Sequence, residues 1–189
     1  MSGSLAPGFL VASPTLRCPF FHHTLVLLVD HGDEGSFGFV VNKPSPVDFG
    51  RVASELDLPI EERVPDVPVL KGGPVSPETG WIVFDPRTVE SVPEDCIRLG
   101  EELAISASRT MLEELARRGE TPPRALLTLG YSGWAKEQLE DEMREGSWIP
   151  VDLDPALIFE RPIEERWESA LASLGVEPGM VIGRKIALA

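Results

Sequence analysis

Leu126-Leu127-Thr128-Leu129-Gly130-Tyr131-Ser132-Gly133-Trp134 constrains the fold of this chain more than any other stretch. An apolar run of strand composition meets two glycines, each followed by an aromatic, and a charged run through Gln138-Leu139-Glu140 comes directly after. The pattern predicts a buried strand from Arg124 to Leu129, a turn at Gly130 to Gly133, and a helix from Ala135 to Glu145. Such a corner can aim free backbone amides at an anion, carry a catalytic side chain, or be a tightly packed joint.

The neighbouring residues weigh against chemistry at that corner. A nucleophile elbow around Ser132 needs glycine two residues on, where Trp134 stands. A phosphate loop needs a Gly-Lys-Ser/Thr ending, which is missing. Glu137, in the first turn of the expected helix, already complements the positive helix end and would repel an anion. A joint whose glycines let Tyr131 and Trp134 seat against neighbours is favoured, with an anion site as the alternative.

The rest of the chain reads as short strands, then strands alternating with helices. Strands are predicted at Gly8 to Ser13, Thr24 to Val29 and Phe37 to Asn42, with His31 to Gly35 as a hairpin turn. Ser45 as N-cap with Pro46 in the first turn starts a helix carrying Phe49, Val52, Ala53 and Leu56 on one face. Strands follow at Val67 to Lys71 and Trp81 to Phe84, joined by a loop from Gly72 to Thr79, and again at Ile97 to Ile105. A helix from Ser106 to Arg118 has Thr110 and Glu113 as a possible capping pair, and Trp148 points inward from a strand at Ser147 to Val151. The last helix starts at Pro162, buries Ile163, Trp167, Ala170, Leu171 and Leu174, and stops at Gly175. Without a domain boundary or an internal repeat, residues 1–189 read as a single α+β domain.

Composition removes several function classes. Seventeen basic residues stand against 31 acidic ones, a net charge of −14, and no block of fifty residues is basic. Long-range repulsion then argues against direct nucleic-acid binding. The longest aliphatic run, Leu25 to Val29, is far too short to span a bilayer. No basic residue precedes Arg17, and Pro7 and Pro14 interrupt the apolar N-terminal stretch, so neither a membrane span nor a secretory signal is expected and the location reads as cytoplasmic. Cys18 and Cys96 have no metal-like spacing and read as free thiols. His22 and His23, adjacent on an expected strand, would point to opposite faces, so no metal centre is predicted. No cofactor motif is found. The aromatic residues, including Phe20, Phe21, Phe37 and Phe39, read as core.

Lys43 and Lys71 are two of only four lysines, and each ends a strand before a loop of special backbone chemistry, Asn42-Lys43-Pro44 and Lys71-Gly72-Gly73-Pro74. If the strands were neighbours, the two ammonium groups could hold a carboxylate or phosphate. Solvated strand ends are the favoured reading.

The ordered series Leu5-Ala6-Pro7-Gly8-Phe9-Leu10-Val11-Ala12, Gly38-Phe39-Val40-Val41-Asn42-Lys43-Pro44, Gly72-Gly73-Pro74-Val75, Gly130-Tyr131-Ser132-Gly133-Trp134, Gln138-Leu139-Glu140 and Ser147-Trp148 resembles the AlgH (YqgE) family of bacterial proteins. Leu157-Ile158-Phe159 and Arg166-Trp167 fit as well, so the likeness covers nearly the whole chain. It implies a single α+β domain with a mixed, mostly antiparallel, partly barrel-like sheet flanked by helices, in the bacterial cytosol. The family is of unknown function, with a loose label of transcriptional regulation of exopolysaccharide production and no established catalytic residues. Three departures stand out. Cys18 occupies a position where the family usually has Asp, His22 and His23 replace commonly basic arginines, and Lys136-Glu137 replaces a small or Pro/Gly pair.

The expected function is a non-enzymatic regulatory or protein-binding module with an unknown protein partner, any effect on transcription being indirect. The alternative is a small anionic-ligand binder or enzyme using a cleft between the three loops. Asn42, Lys43, Lys71, Gly72, Gly73, Gly130, Tyr131, Ser132 and Gly133 form the candidate ligand or partner surface, with no catalytic residue assigned.

Overall fold

A computed structural model describes residues 4–119 and 123–175. Its strands are β1 (Gly8–Ala12), β2 (Leu25–Gly32), β3 (Gly35–Val40), β4 (Val69–Lys71), β5 (Val75–Phe84), β6 (Ile97–Arg98), β7 (Ala104–Ser106), β8 (Ala125–Trp134) and β9 (Trp148–Asp152). The helices are α1 (Phe49–Glu55), α2 (Arg109–Arg117), α3 (Gln138–Arg144), α4 (Ala156–Phe159) and α5 (Arg166–Ser173). The hydrogen-bonded strand order is β6-β7-β5-β8-β3-β2-β1-β9, with β4 also on β8. The pairings β1/β2, β1/β9, β2/β3, β3/β8, β5/β7 and β6/β7 are antiparallel, whereas β4 runs parallel to β8. This is the mixed, mostly antiparallel α+β architecture expected from the sequence. The chain gathers into two compact units, Met1–Lys43 with Tyr131–Ala189, and Pro44–Gly130.

In the first unit, β1 is buried along its whole length and β2 along its first five residues. Alternate side chains of a strand point to opposite faces, so continuous burial means both faces are covered. On one face Leu10, Ala12, Val26, Leu28 and Val40 pack with Trp134, Trp148 and Leu139 of α3. Helix α5 packs on β1 and β2, and the Trp167 indole N–H donates to the Ala12 carbonyl at 2.9 Å. The expected hairpin is present: Gly32 pairs with Gly35 across Asp33 and Glu34, and Val29 forms a bulge where the register shifts between Leu28 and Asp30. Gly175, at φ 69°, ends α5 region as its sequence position suggests. A 3-10 turn, Ile163–Glu165, precedes that helix, and the short α4 was not foreseen.

The second unit is built on Phe49, Ala53, Val69, Ile82, Phe84, Met111, Leu115 and Leu127. Here several local expectations give way. The N-cap of α1 is Asp48, whose carboxylate accepts from the Arg51 N–H at 2.8 Å, and not Ser45. Ser45 instead donates its N–H to the Val69 carbonyl at 2.8 Å. Leu56 follows the helix end and is 40% exposed. Strand β5 starts at Val75, so most of the expected Gly72 to Thr79 loop is strand, with Pro77 near its exposed end. The single strand expected over Ile97 to Ile105 is a hairpin of β6 and β7, with Gly100 at φ 101° between them. Helix α2 begins at Arg109 behind Ser108, which makes no side-chain cap. Thr110 meets the Ser108 hydroxyl at 2.6 Å, and Glu113 accepts from Arg109 at 3.0 Å, so they form no capping pair.

Asp85 closes β5 with a buried carboxylate, only 1% exposed. Arg87 donates to it from its backbone N–H and Nε at 3.0 Å and from Nη2 at 2.8 Å. Those bonds hold the Asp85 carboxyl below the usual aspartate range, against the cost of its burial. The folded-state pKa being the lower one, this stabilisation is whole above the unfolded value and is lost as pH falls through the depressed folded value. Asp85→Asn is expected to cost about 2 kcal/mol at neutral pH. In acid-unfolding curves the difference from wild type should shrink below about pH 4; a constant difference down to the acid limit would contradict the assignment.

Candidate functional site

The corner read from Gly130 to Gly133 is not a corner. Strand β8 continues through Tyr131, Ser132 and Gly133 to Trp134, and α3 does not begin until Gln138. The continuation is held by antiparallel pairing of Ser36, Phe37 and Gly38 with Trp134, Gly133 and Ser132. Long-range pairing thus overrides two local glycine signals. The turn to the helix is made instead by Glu137, in the left-handed region at φ 63°. With no helix start at Gly130 to Gly133, the amide array of an anion-binding corner is not formed there. Ser132 is fully buried, so its hydroxyl does not face an incoming substrate.

Gly130 has a different duty. Its φ is 73°, and a Cβ there would lie 2.6 Å from the Gly73 carbonyl oxygen and 2.9 Å from that of Val75. The Gly72 N–H donates to the Leu129 carbonyl at 2.8 Å, and Lys71 is in register with Leu129. Lys71, Gly72, Gly73 and Gly130 are therefore brought together in the second unit, as a joint in which two backbones touch. Gly72 and Gly73 are buried and the Lys71 side chain is exposed.

Asn42, Lys43, Tyr131, Ser132 and Gly133 belong to the first unit. The Asn42 side chain accepts from the Leu25 N–H at 2.8 Å and donates to the His23 carbonyl at 2.8 Å. It thereby extends the β2/β3 ladder past the last strand residue. The Lys43 ammonium donates to the Phe20 carbonyl and lies 4.2 Å from the centre of the Phe20 ring. Tyr131 is half-buried and meets Phe37 edge to face at 6.4 Å.

Two polar residues of the first unit escaped the sequence reading. Glu142, one of several acidic residues of the helix that follows β8, accepts both the Trp134 and the Trp148 indole N–H on one carboxylate oxygen, at 2.9 and 2.8 Å. Its other oxygen accepts from Gln138 at 2.8 Å. Arg166 is buried, donating to the Val41 carbonyl at 2.6 Å and the Arg161 carbonyl at 3.1 Å. Burial pushes its pKa down to about 10, partly offset by Glu164. Arg166 is marked in the sequence only by its place in the Arg166-Trp167 pair of the family resemblance, and Glu142 by nothing that sets it apart from its charged neighbours.

His22 and His23 are not on a strand. Their rings stack at 3.7 Å, and His23 stacks in turn on Trp167 at 4.0 Å. Burial and the neighbouring His22 hold His23 below the ordinary imidazole value, with Glu168 opposing. Among the described residues no three His, Cys, Asp or Glu side chains are grouped to hold a metal ion. Cys18 and Cys96 are both free and half-buried.

Residues 9–179 match the family described as AlgH-like. A UPF0301 protein of Anaeromyxobacter dehalogenans (strain 2CP-C) is 46% identical over 186 residues, covering 95% of this chain and 93% of that protein. The solution structure of the AlgH protein from Pseudomonas aeruginosa superposes with a TM-score of 0.74 at 33% identity, covering 96% of this chain and 97% of that one. A crystal structure of a Corynebacterium diphtheriae protein, at 20% identity and a TM-score of 0.68, covers 92% of this chain and 89% of that one and shares the fold.

Proposed function

This chain belongs to the AlgH-like family, and from that premise we propose that it is a non-enzymatic protein-binding module of the cytoplasm. Any influence on transcription passes through a protein partner. The observation that carries the reading is where the signature side chains spend their hydrogen bonds. Asn42 and Lys43 are committed to carbonyls and an amide of their own chain, and Gly130 gives its space to Gly73. These groups build the strand ends; they are not held open for a substrate. An anion at Lys43 would have to displace the Phe20 carbonyl and ring from the ammonium. Lys71 and Tyr131 remain as members of the candidate surface with side-chain area to offer a partner.

Charge supports a protein over a nucleic acid. At −14 the chain repels phosphate backbones, and no local basic face was found in the sequence to offset that. Among the described residues no helix is long and apolar enough to cross a membrane.

Affinity capture with the full chain from bacterial extract, with and without nuclease treatment, tests the proposal. The expected result is one protein retained at a reproducible ratio and resistant to nuclease. Capture that disappears on nuclease treatment would overturn it.

A further inference from the structure

The second unit holds a cavity of about 540 Å³ that none of the candidate surface residues lines. Its apolar lining comes from Val47, Val52, Leu56, Leu112, Leu127 and Leu129, and its charged groups are Glu55, Glu78 and Arg109. A volume of that size lies in the range of pockets that take ligands, and apolar walls with a few polar groups are their usual chemistry.

The charges select the occupant. The Arg109 guanidinium is already engaged, its Nε donating to Glu113 at 3.0 Å and its Nη2 to the Leu56 carbonyl at 2.8 Å. Glu55 meets Arg51 at 3.0 Å, but both side chains are more than 60% exposed, at 63% and 69%, and such a pair is cheaply exchanged. Glu78 is exposed. The rim thus offers carboxylates to a cation. Two lining residues, Leu56, 40% exposed, and the exposed Pro77, carry the apolar surface out to the cavity's mouth. A small molecule filling the cavity would leave that surface wet, whereas a peptide segment lying across the mouth covers it.

We propose that this cavity receives one large apolar side chain, Leu, Phe or Met, from a basic helical segment of a partner protein, whose Lys or Arg one turn away meets Glu55 and Glu78. The inference rests on the protein-binding reading and adds the chemistry of the partner. A helix places residues three and four apart on one face, so an anchor and its flanking cations can engage together.

The test uses the full chain, methyl-labelled for NMR, with a synthetic amphipathic helical peptide of leucine and lysine and its counterpart with glutamate in place of lysine. The basic peptide is expected to shift the methyl signals of Leu56, Leu112 and Leu127, and the acidic one to leave them unchanged. Gly80→Leu supplies a charge-neutral block. A Cβ at Gly80 would sit 3.4 Å from a Leu127 methyl and 4.0 Å from a Leu129 methyl, so the longer side chain is directed at the lining. It should weaken binding by roughly tenfold or more, and the double change Glu55→Lys with Glu78→Lys by about tenfold. The two exposed glutamates can be changed without touching the core, so this variant decides the matter if Gly80→Leu does not fold. Shifts scattered over the acidic surface and untouched by either variant would overturn the proposal. So would hexylamine saturating the same methyls while the basic peptide leaves them unmoved. A partner captured equally well by wild type and both variants would sink the cavity's role and leave the protein-binding reading standing; a wild type that captures nothing removes the reading itself.

Discussion

Gly130→Ala is expected to lower stability by about 2–5 kcal/mol, the sum of a left-handed backbone penalty and forced overpacking. The residue sits at φ 73°, and the added methyl would meet the Gly73 oxygen at 2.6 Å and the Val75 oxygen at 2.9 Å. Both obstacles are backbone, so neither can rotate away as a flexible side chain would. Gly133, three residues on in the same motif, gives the control. A Cβ there finds nothing nearer than the Tyr131 ring at 3.7 Å, an ordinary contact. Gly133→Ala should therefore stay within about 1 kcal/mol of wild type. Urea unfolding of the two variants reads the contrast directly. Equal, mild effects would mean that the Gly73–Gly130 contact is not what requires the first glycine.

Glu142→Ala is expected to cost about 3 kcal/mol, because it leaves two indole N–H groups without their acceptor. Trp134 and Trp148 are 5% and 3% exposed, so water has little access to either. Glu142→Gln keeps an oxygen able to accept both indoles and should cost about 1 kcal/mol. The amide then places a second donor against Gln138, whose own oxygen is taken by the Ala135 N–H at 2.9 Å. Indole N–H signals in NMR provide the local readout. Both should move and exchange faster with solvent in the alanine variant, and largely keep their protection in the glutamine one. If alanine left both signals unchanged, the carboxylate would not be their partner.

Much of the architecture is legible in the residues. Leu25 to Val29 and Gly8 to Ala12 are continuous apolar runs because both of their faces are covered, and the strands lie where those runs do. Trp148 points inward, as the sequence reading expects. Two of the failures have opposite causes. Strand β8 runs on through Gly130 and Gly133 because β3 pairs with it, and that partner lies about a hundred residues away in sequence, beyond any local window. Gly100 divides Ile97 to Ile105 into two strands for the opposite reason, a local left-handed turn inside a segment read as one strand.

The candidate site was less legible than the fold. Asn42 and Lys43 are conspicuous in sequence because of the strand end they occupy, and the structure shows them bonding that strand end. Glu142 disappears among neighbouring charges because its two indole partners lie six and eight residues away, on strands. The cavity of the second unit has no signature at all. Its lining is assembled from α1, β5, α2 and β8, and only the fold brings Leu56, Leu112 and Leu127 together.

The claim on which the functional account turns is that this acidic chain engages protein and not polynucleotide. Fluorescence anisotropy of labelled duplex DNA, titrated with the pure protein at low ionic strength, tests it most directly, since phosphate contacts are strongest there. The expected result is no saturable binding. A saturating curve whose affinity falls as salt is added would contradict the account.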